Sequence, residues 1–216
     1  MTRIAFLHTG AVVIPPVAEL AGRLLPEVTT VNYLDDKIVA DLADSDRAAS
    51  VEQRLEDLVR AAQSAGADAV MLTCSSISGF AAGLGARVGI PVLRVDEAMA
   101  DQAVATGERI AVIATLPTTL APTTALIAER AEIAGATPTI ISEVVDGAFA
   151  AVASGDRETH DSLVVAAIER LAAQADVVVL AQASMASAAT RASVDVPVLT
   201  SLEPGITRLR DALAAR

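Results

Sequence analysis

Apolar residues along this chain come in short runs separated by longer stretches with helical periodicity. Runs rich in Val, Ile and Leu occur at 4–7, 28–33, 69–73 and 92–95, and these read as strands. Between them, the stretch 47–65 places Val51, Leu55, Leu58, Val59 and Ala62 at the spacing of one helix face. The stretch 156–174 does the same with Val164, Ile168 and Leu171. Several strand runs do not alternate with polar residues. Such runs predict strands buried on both faces, hence a parallel sheet covered by helices.

The pattern is written twice. "RIAFLHTG" (3–10) is matched by "RIAVIATLPTT" (109–119), and "DDKIVADLADSDR" (35–47) by "VDGAFAAVASGDR" (145–157). "GADAVMLTCSSIS" (66–78) is matched by "QADVVVLAQASMA" (174–186), and "GIPVLRVDEAM" (89–99) by "DVPVLTSLEPG" (195–205). The offset stays between 106 and 110 residues, as from Arg3 to Arg109 and from Asp46 to Asp156. Four ordered matches predict an internal duplication. The expected fold is α/β, with two similar duplicated domains facing each other. Each would be a parallel sheet flanked by helices, with a cleft between them for ligands. The first domain is expected over 1–100 and the second over 101–203, with the boundary near 98–108. A final helix over 204–216 is expected to complete the first domain.

Composition narrows the class of partner. Apolar residues make up 53% of the 216, charged residues 20% and aromatics 2%, so the core is aliphatic. The 27 acidic and 16 basic residues leave a net charge of −11, which disfavours nucleic acid and anionic membrane surfaces. A small anion can still bind through local dipoles. Two long uncharged stretches, 69–86 and 110–128, are broken by Gly, Ser, Pro and Thr, so no membrane span is expected. The first ten residues lack the apolar core and cleavage site of a signal peptide. One cysteine forms no internal disulfide, and no C-x-x-C pair points to a metal. A reducing cytoplasm is the expected compartment, with no metal and no cofactor.

In sheets of this kind ligands bind beyond the carboxyl ends of the strands. "HTG", "TCSS", "ATLPTT" and "AQAS" fall there. Cys74 is expected at a turn into a helix starting near Ser76, where unpaired N–H groups favour a thiolate and attract a carboxylate. Ser75 and Ser76 could add their hydroxyls. Cys74 could equally be a small buried hydrophobe, with either serine as a cap. Thr115, Thr118 and Thr119 belong to a threonine-rich loop, 114–124, ahead of a helix expected near Pro122, and could hold an anionic group. His8 and Thr9 end the first strand; His8 suits acid–base work near neutral pH or a hydrogen-bonded structural place. His160 has no assigned role. Asp35, Asp36 and Asp146 are expected in loops or caps.

At these residues, above all "HTG", "LTCSSI", "PVLRVDEAM", "GDR" and "LAQASMA", the chain resembles the aspartate/glutamate racemase superfamily, the Asp/Glu/hydantoin racemases. The resemblance covers nearly the whole chain. It implies an enzyme without cofactor or metal, acting on a small carboxylate, with a homodimer by family likeness. It also implies two thiols facing the substrate's α-carbon, one removing the proton and the other returning one to the opposite face. Cys74 matches the first thiol. The second falls on Gln182, or on Ser184 in the same turn. A carboxamide has no acid or base form near neutral pH, so two-thiol racemisation is not expected. The alternatives are a single-thiol decarboxylase of the arylmalonate type and a maleate-type isomerase with a nucleophilic thiol. Racemisation with His8 as second base, or a non-catalytic carboxylate-binding protein, would also fit. Gln182 and Ser184 would then orient the substrate by hydrogen bonding.

Overall fold

The computed structural model describes residues 2–214. Among the described residues eight strands form two four-stranded parallel sheets. The first contains β1 (Arg3–His8), β2 (Thr29–Leu34), β3 (Ala69–Leu72) and β4 (Val92–Arg94), in the order β2-β1-β3-β4. The second contains β5 (Arg109–Ala114), β6 (Thr139–Val144), β7 (Val177–Leu180) and β8 (Val198–Leu199), in the order β6-β5-β7-β8. The registers also match. Leu7 lies beside Leu72 as Ile113 lies beside Leu180, and Phe6 beside Asn32 as Val112 beside Ser142.

Two compact units follow this division. One runs to Val95 and resumes at Gly205; the other runs from Asp96 to Pro204. The divide therefore comes before Glu97–Thr106, the helix that leads into the second sheet. Met99, Ala100 and Ala103 of that helix are fully buried against Ile110, Val112, Val177 and Val179, which is why it belongs to the second unit. The final helix, Leu202–Ala214, starts two residues ahead of the expected 204. Residues 215 and 216 of the expected helix lie outside the described residues.

Both faces of the second sheet are covered, as non-alternating strands require. Ala111, Ile113, Val178 and Leu180 face the helix Arg157–Ala172, with Val164, Ile168 and Leu171 buried among them. Ile110, Val112, Val177 and Val179 face Leu126 and Ile127 on the opposite side. In the first unit Ala5, Leu7, Val70 and Leu72 pack on Val51, Leu55, Val59 and Ala62 of the helix Ala48–Ser64, the apolar stripe read from the sequence. Each sheet begins with the same clasp. The Asp68 carboxylate accepts the Arg3 N–H at 2.8 Å, and Asp176 accepts the Arg109 N–H at 2.9 Å. No helix among the described residues is long and apolar enough to cross a membrane.

Candidate functional site

The carboxyl end of β3 runs through Thr73 into Cys74, whose backbone is extended (φ −135°, ψ 127°) before the short helix Ser75–Ser78. The Ile77 N–H donates to the Cys74 carbonyl at 3.2 Å and closes the turn. Four residues provide local N–H groups but little macrodipole. Cys74 is half-buried and packs against the apolar cluster of the first unit, while Ser75, Ser76 and Ser78 are buried. Cys74 itself holds the cap position, with no capping hydrogen bond from its side chain.

Beneath this turn lies His8, fully buried at the end of β1. Its Nδ1 is 2.8 Å from the Thr73 hydroxyl and its Nε2 is 2.8 Å from the Asn32 side-chain oxygen. The Thr73 hydroxyl donates its own proton to the Leu7 carbonyl at 3.0 Å. It must therefore accept from His8, which places the proton on Nδ1. Burial pushes the His8 pKa below its ordinary value, against a smaller opposing effect of the Asn32 hydrogen bond. Asn32 turns its side-chain oxygen towards Nε2, the contact that works against burial by favouring the protonated ring. Both ring nitrogens are thus engaged inside the protein, tying β1 to β2 and β3. Thr9 follows, half-buried.

The second unit fixes its corresponding turn differently. Gln182 follows β7 with the same extended backbone (φ −129°, ψ 139°). Its side-chain oxygen accepts the Thr115 N–H at 2.6 Å and the Thr115 hydroxyl at 3.0 Å. That oxygen caps the end of β5, leaving the amide N–H groups as the donors Gln182 can offer elsewhere. Ser184 is half-buried, and its carbonyl accepts from the Arg157 guanidinium at 2.7 Å.

The threonine-rich stretch is a helix from Pro117, not a loop up to Pro122. Pro117 suits the first helical turn, and Pro122 is accommodated inside the helix Pro117–Ala134. Thr123 and Thr124 donate their hydroxyls to carbonyls one turn back, Thr119 at 3.0 Å and Leu120 at 3.1 Å. Those two hydroxyls serve the helix. Thr118 is half-buried and Thr119 buried in the first turn.

Of the acidic residues, Asp35 pairs with Arg54, which also reaches Asp41 at 2.5 Å and holds its carboxyl below the usual range. Asp36 pairs with Lys37 at 3.3 Å, and Asp146 is exposed. His160 is buried with Nδ1 donating to the Ala148 carbonyl at 2.9 Å. Among the described residues no group of three or more His, Cys, Asp or Glu is placed to hold a metal ion. Within the first unit the structure brings His8, Thr9, Cys74, Ser75 and Ser76 to one end of the sheet; within the second it brings Thr115 to Gln182. Sequence reasoning missed Asn32. Its one signal is an amide inside the β-branched run "TTVNYL", opposite Phe6 and two residues short of the strand's end.

No curated protein matches this sequence. Solved structures show the fold. Glutamate racemase isoform RacE1 from Bacillus anthracis superposes with a TM-score of 0.80 at 19% identity, covering 99% of this chain and 82% of that one. Allantoin racemase from Klebsiella pneumoniae gives 0.70 at 18% identity, covering 100% and 88%. Arylmalonate decarboxylase gives 0.58 at 20% identity, covering 98% and 92%. The family model described as Asp/Glu/Hydantoin racemase matches residues 8–209, a span that holds both sheets except β1 ahead of His8, both strand-end turns and most of the final helix. The chain belongs to the Asp/Glu/hydantoin racemase family.

Proposed function

We propose that this protein is a cofactor-independent isomerase or related lyase working at the carbon next to a carboxylate of a small amino-acid-like or dicarboxylic substrate. Cys74 is its single catalytic thiol. The observation that carries this reading is the contrast between two equivalent turns. One holds a half-buried thiol after β3; the other holds Gln182, whose oxygen is committed to Thr115.

In this reading the Cys74 thiolate takes the α-proton. The C–H electron pair spreads into the carboxylate as an enolate-like intermediate, and return of the proton from sulfur on the same face exchanges the α-hydrogen with retention. Loss of CO2 from a malonate would give the same intermediate, to be protonated by the Cys74 thiol. Net isomerisation with one thiol runs through addition of the Cys74 thiolate to the double bond of a maleate-like substrate, rotation about the resulting single bond and expulsion of the thiolate. Ser75 and Ser76 hold a carboxylate oxygen through N–H and hydroxyl donors, stabilising charge as it develops. Thr9, Thr115, Thr118, Thr119, Ser184 and the Gln182 amide N–H groups are assigned to substrate binding. His8 receives no part as second base, because burial and two internal partners keep it from a substrate.

The test is proton exchange in D2O, followed by NMR over amino acids, hydantoins, malonates and maleate, with wild type beside Cys74→Ser. Deuterium entering one enantiomer only, and only with Cys74 present, is the expected result. Label in both enantiomers would require a second base and overturn the one-thiol mechanism. Binding without exchange, isomerisation or decarboxylation would leave a carboxylate-binding protein.

A further inference from the structure

We propose that His8 is a positioning residue, acting through Thr73 to set the conformation of the Cys74 peptide, in a brace built only into the copy of the fold that carries the thiol. It rests on the reading of Cys74 as the working thiol.

The second unit is an internal control. By register, His8 corresponds to Ala114, Thr73 to Ala181 and Asn32 to Ser142. All three polar groups of the brace are thus replaced by alanine or serine. The backbone beneath does not differ. Thr73 donates its N–H to the Leu7 carbonyl at 3.1 Å, and Ala181 donates to Ile113 at 2.9 Å. The strand ends therefore close equally well without the brace. Burying an imidazole and a hydroxyl costs desolvation that their hydrogen bonds only offset. A fold that forms without them in one copy has no structural need of them in the other.

What differs is the next residue. Gln182 anchors its own turn, because an amide oxygen accepts two hydrogen bonds from Thr115. A thiol is a weaker acceptor than an amide oxygen, so Cys74 is the poorer anchor of the two. The first unit fixes its turn from below instead. His8 Nδ1 holds the Thr73 hydroxyl, that hydroxyl holds the Leu7 carbonyl, and Asn32 fixes the ring from the neighbouring strand. The side chain of Thr73 is thereby locked one residue before the sulfur.

Because Cys74 is the chain's only cysteine, alkylation by iodoacetamide reports on it alone and needs no substrate. Alkylation rate against pH is compared for wild type, Thr73→Val, Thr73→Ser, His8→Gln and Asn32→Ser, each with its melting curve. Thr73→Val keeps the shape and removes the hydroxyl; Thr73→Ser keeps the hydroxyl. Expected is a change of about 2- to 10-fold in rate for Thr73→Val and His8→Gln, the range one neutral hydrogen bond supports. Thr73→Ser should follow wild type, and Asn32→Ser should shift the same way by less. If Thr73→Val does not fold, His8→Gln and Asn32→Ser decide by the same readout. Profiles identical to wild type in every folded variant would overturn the proposal, whatever their stability. If the variants shift but no substrate exchanges deuterium, the brace stands and the reaction falls. Exchange by wild type with unshifted variants gives the converse.

Discussion

Gly205→Ala sets two effects of opposite sign against each other. Gly205 lies in the helix Leu202–Ala214, where alanine is favoured over glycine by about 1 kcal/mol. Propensity alone therefore predicts a more stable protein. A Cβ at Gly205, however, would sit 2.2 Å from the Val95 carbonyl oxygen and 2.9 Å from its carbon. Ordinary contact requires the two backbones to part by about 1 Å, and neither atom belongs to a side chain that could swing away. Overpacking of this kind costs about 1–3 kcal/mol and occasionally more, so sterics win. Gly22→Ala is the control, since that glycine lies in the helix Ile14–Leu24 with nothing within 4 Å of an added Cβ. It should gain about 0.5–1 kcal/mol.

Gly205 and Val95 belong to the unit that carries Cys74, so maleimide labelling of the single thiol in urea follows that unit's opening directly. Gly205→Ala should lower its midpoint and reduce Tm by about 2–12 °C, while Gly22→Ala raises both. A Gly205→Ala protein as stable as Gly22→Ala would refute the steric reasoning and leave propensity in control.

His8 gives stability a pH dependence. Its folded pKa lies below its unfolded value near 6.5, so the unfolded chain binds the proton more readily. Its contribution is complete above about pH 6.5 and is lost as pH falls towards the folded pKa, by at most about 1.4 kcal/mol per pH unit. Urea unfolding of wild type and His8→Gln between pH 5 and 8 should show the steeper slope in wild type; parallel curves would contradict this. Gln182→Ala strips the buried Thr115 N–H and hydroxyl of their acceptor and should cost about 1–3 kcal/mol, whereas Gln182→Glu keeps an acceptor and should lose less. Urea midpoints of the two variants decide it. Gln182→Cys restores a thiol at the second position, and deuterium should then enter both enantiomers of a substrate that wild type labels on one. No gain across a broad panel would mean that the second unit's turn has diverged beyond the thiol.

Strand runs, the helical stripe Val51–Leu55–Val59–Ala62 and the twofold repeat were legible from the sequence, because each is a short-range pattern that burial on a parallel sheet enforces. The exchange of thiol for amide between Cys74 and Gln182 was legible too, since the repeat aligns them. Pro122 misled, because proline marks a boundary only when the chain does not absorb it, and here helix packing around Thr119, Thr123 and Leu126 carries the helix through. What the two key side chains do was decided by tertiary structure alone. His8 meets Asn32 24 residues away and Thr73 65 residues away, and Thr115 meets Gln182 across 67. Partners so distant are chosen by strand order and register, which bring the ends of β1, β2 and β3 side by side. Local propensity records that a strand ends in histidine; only the register of its neighbours determines that this histidine is buried and held beneath the thiol.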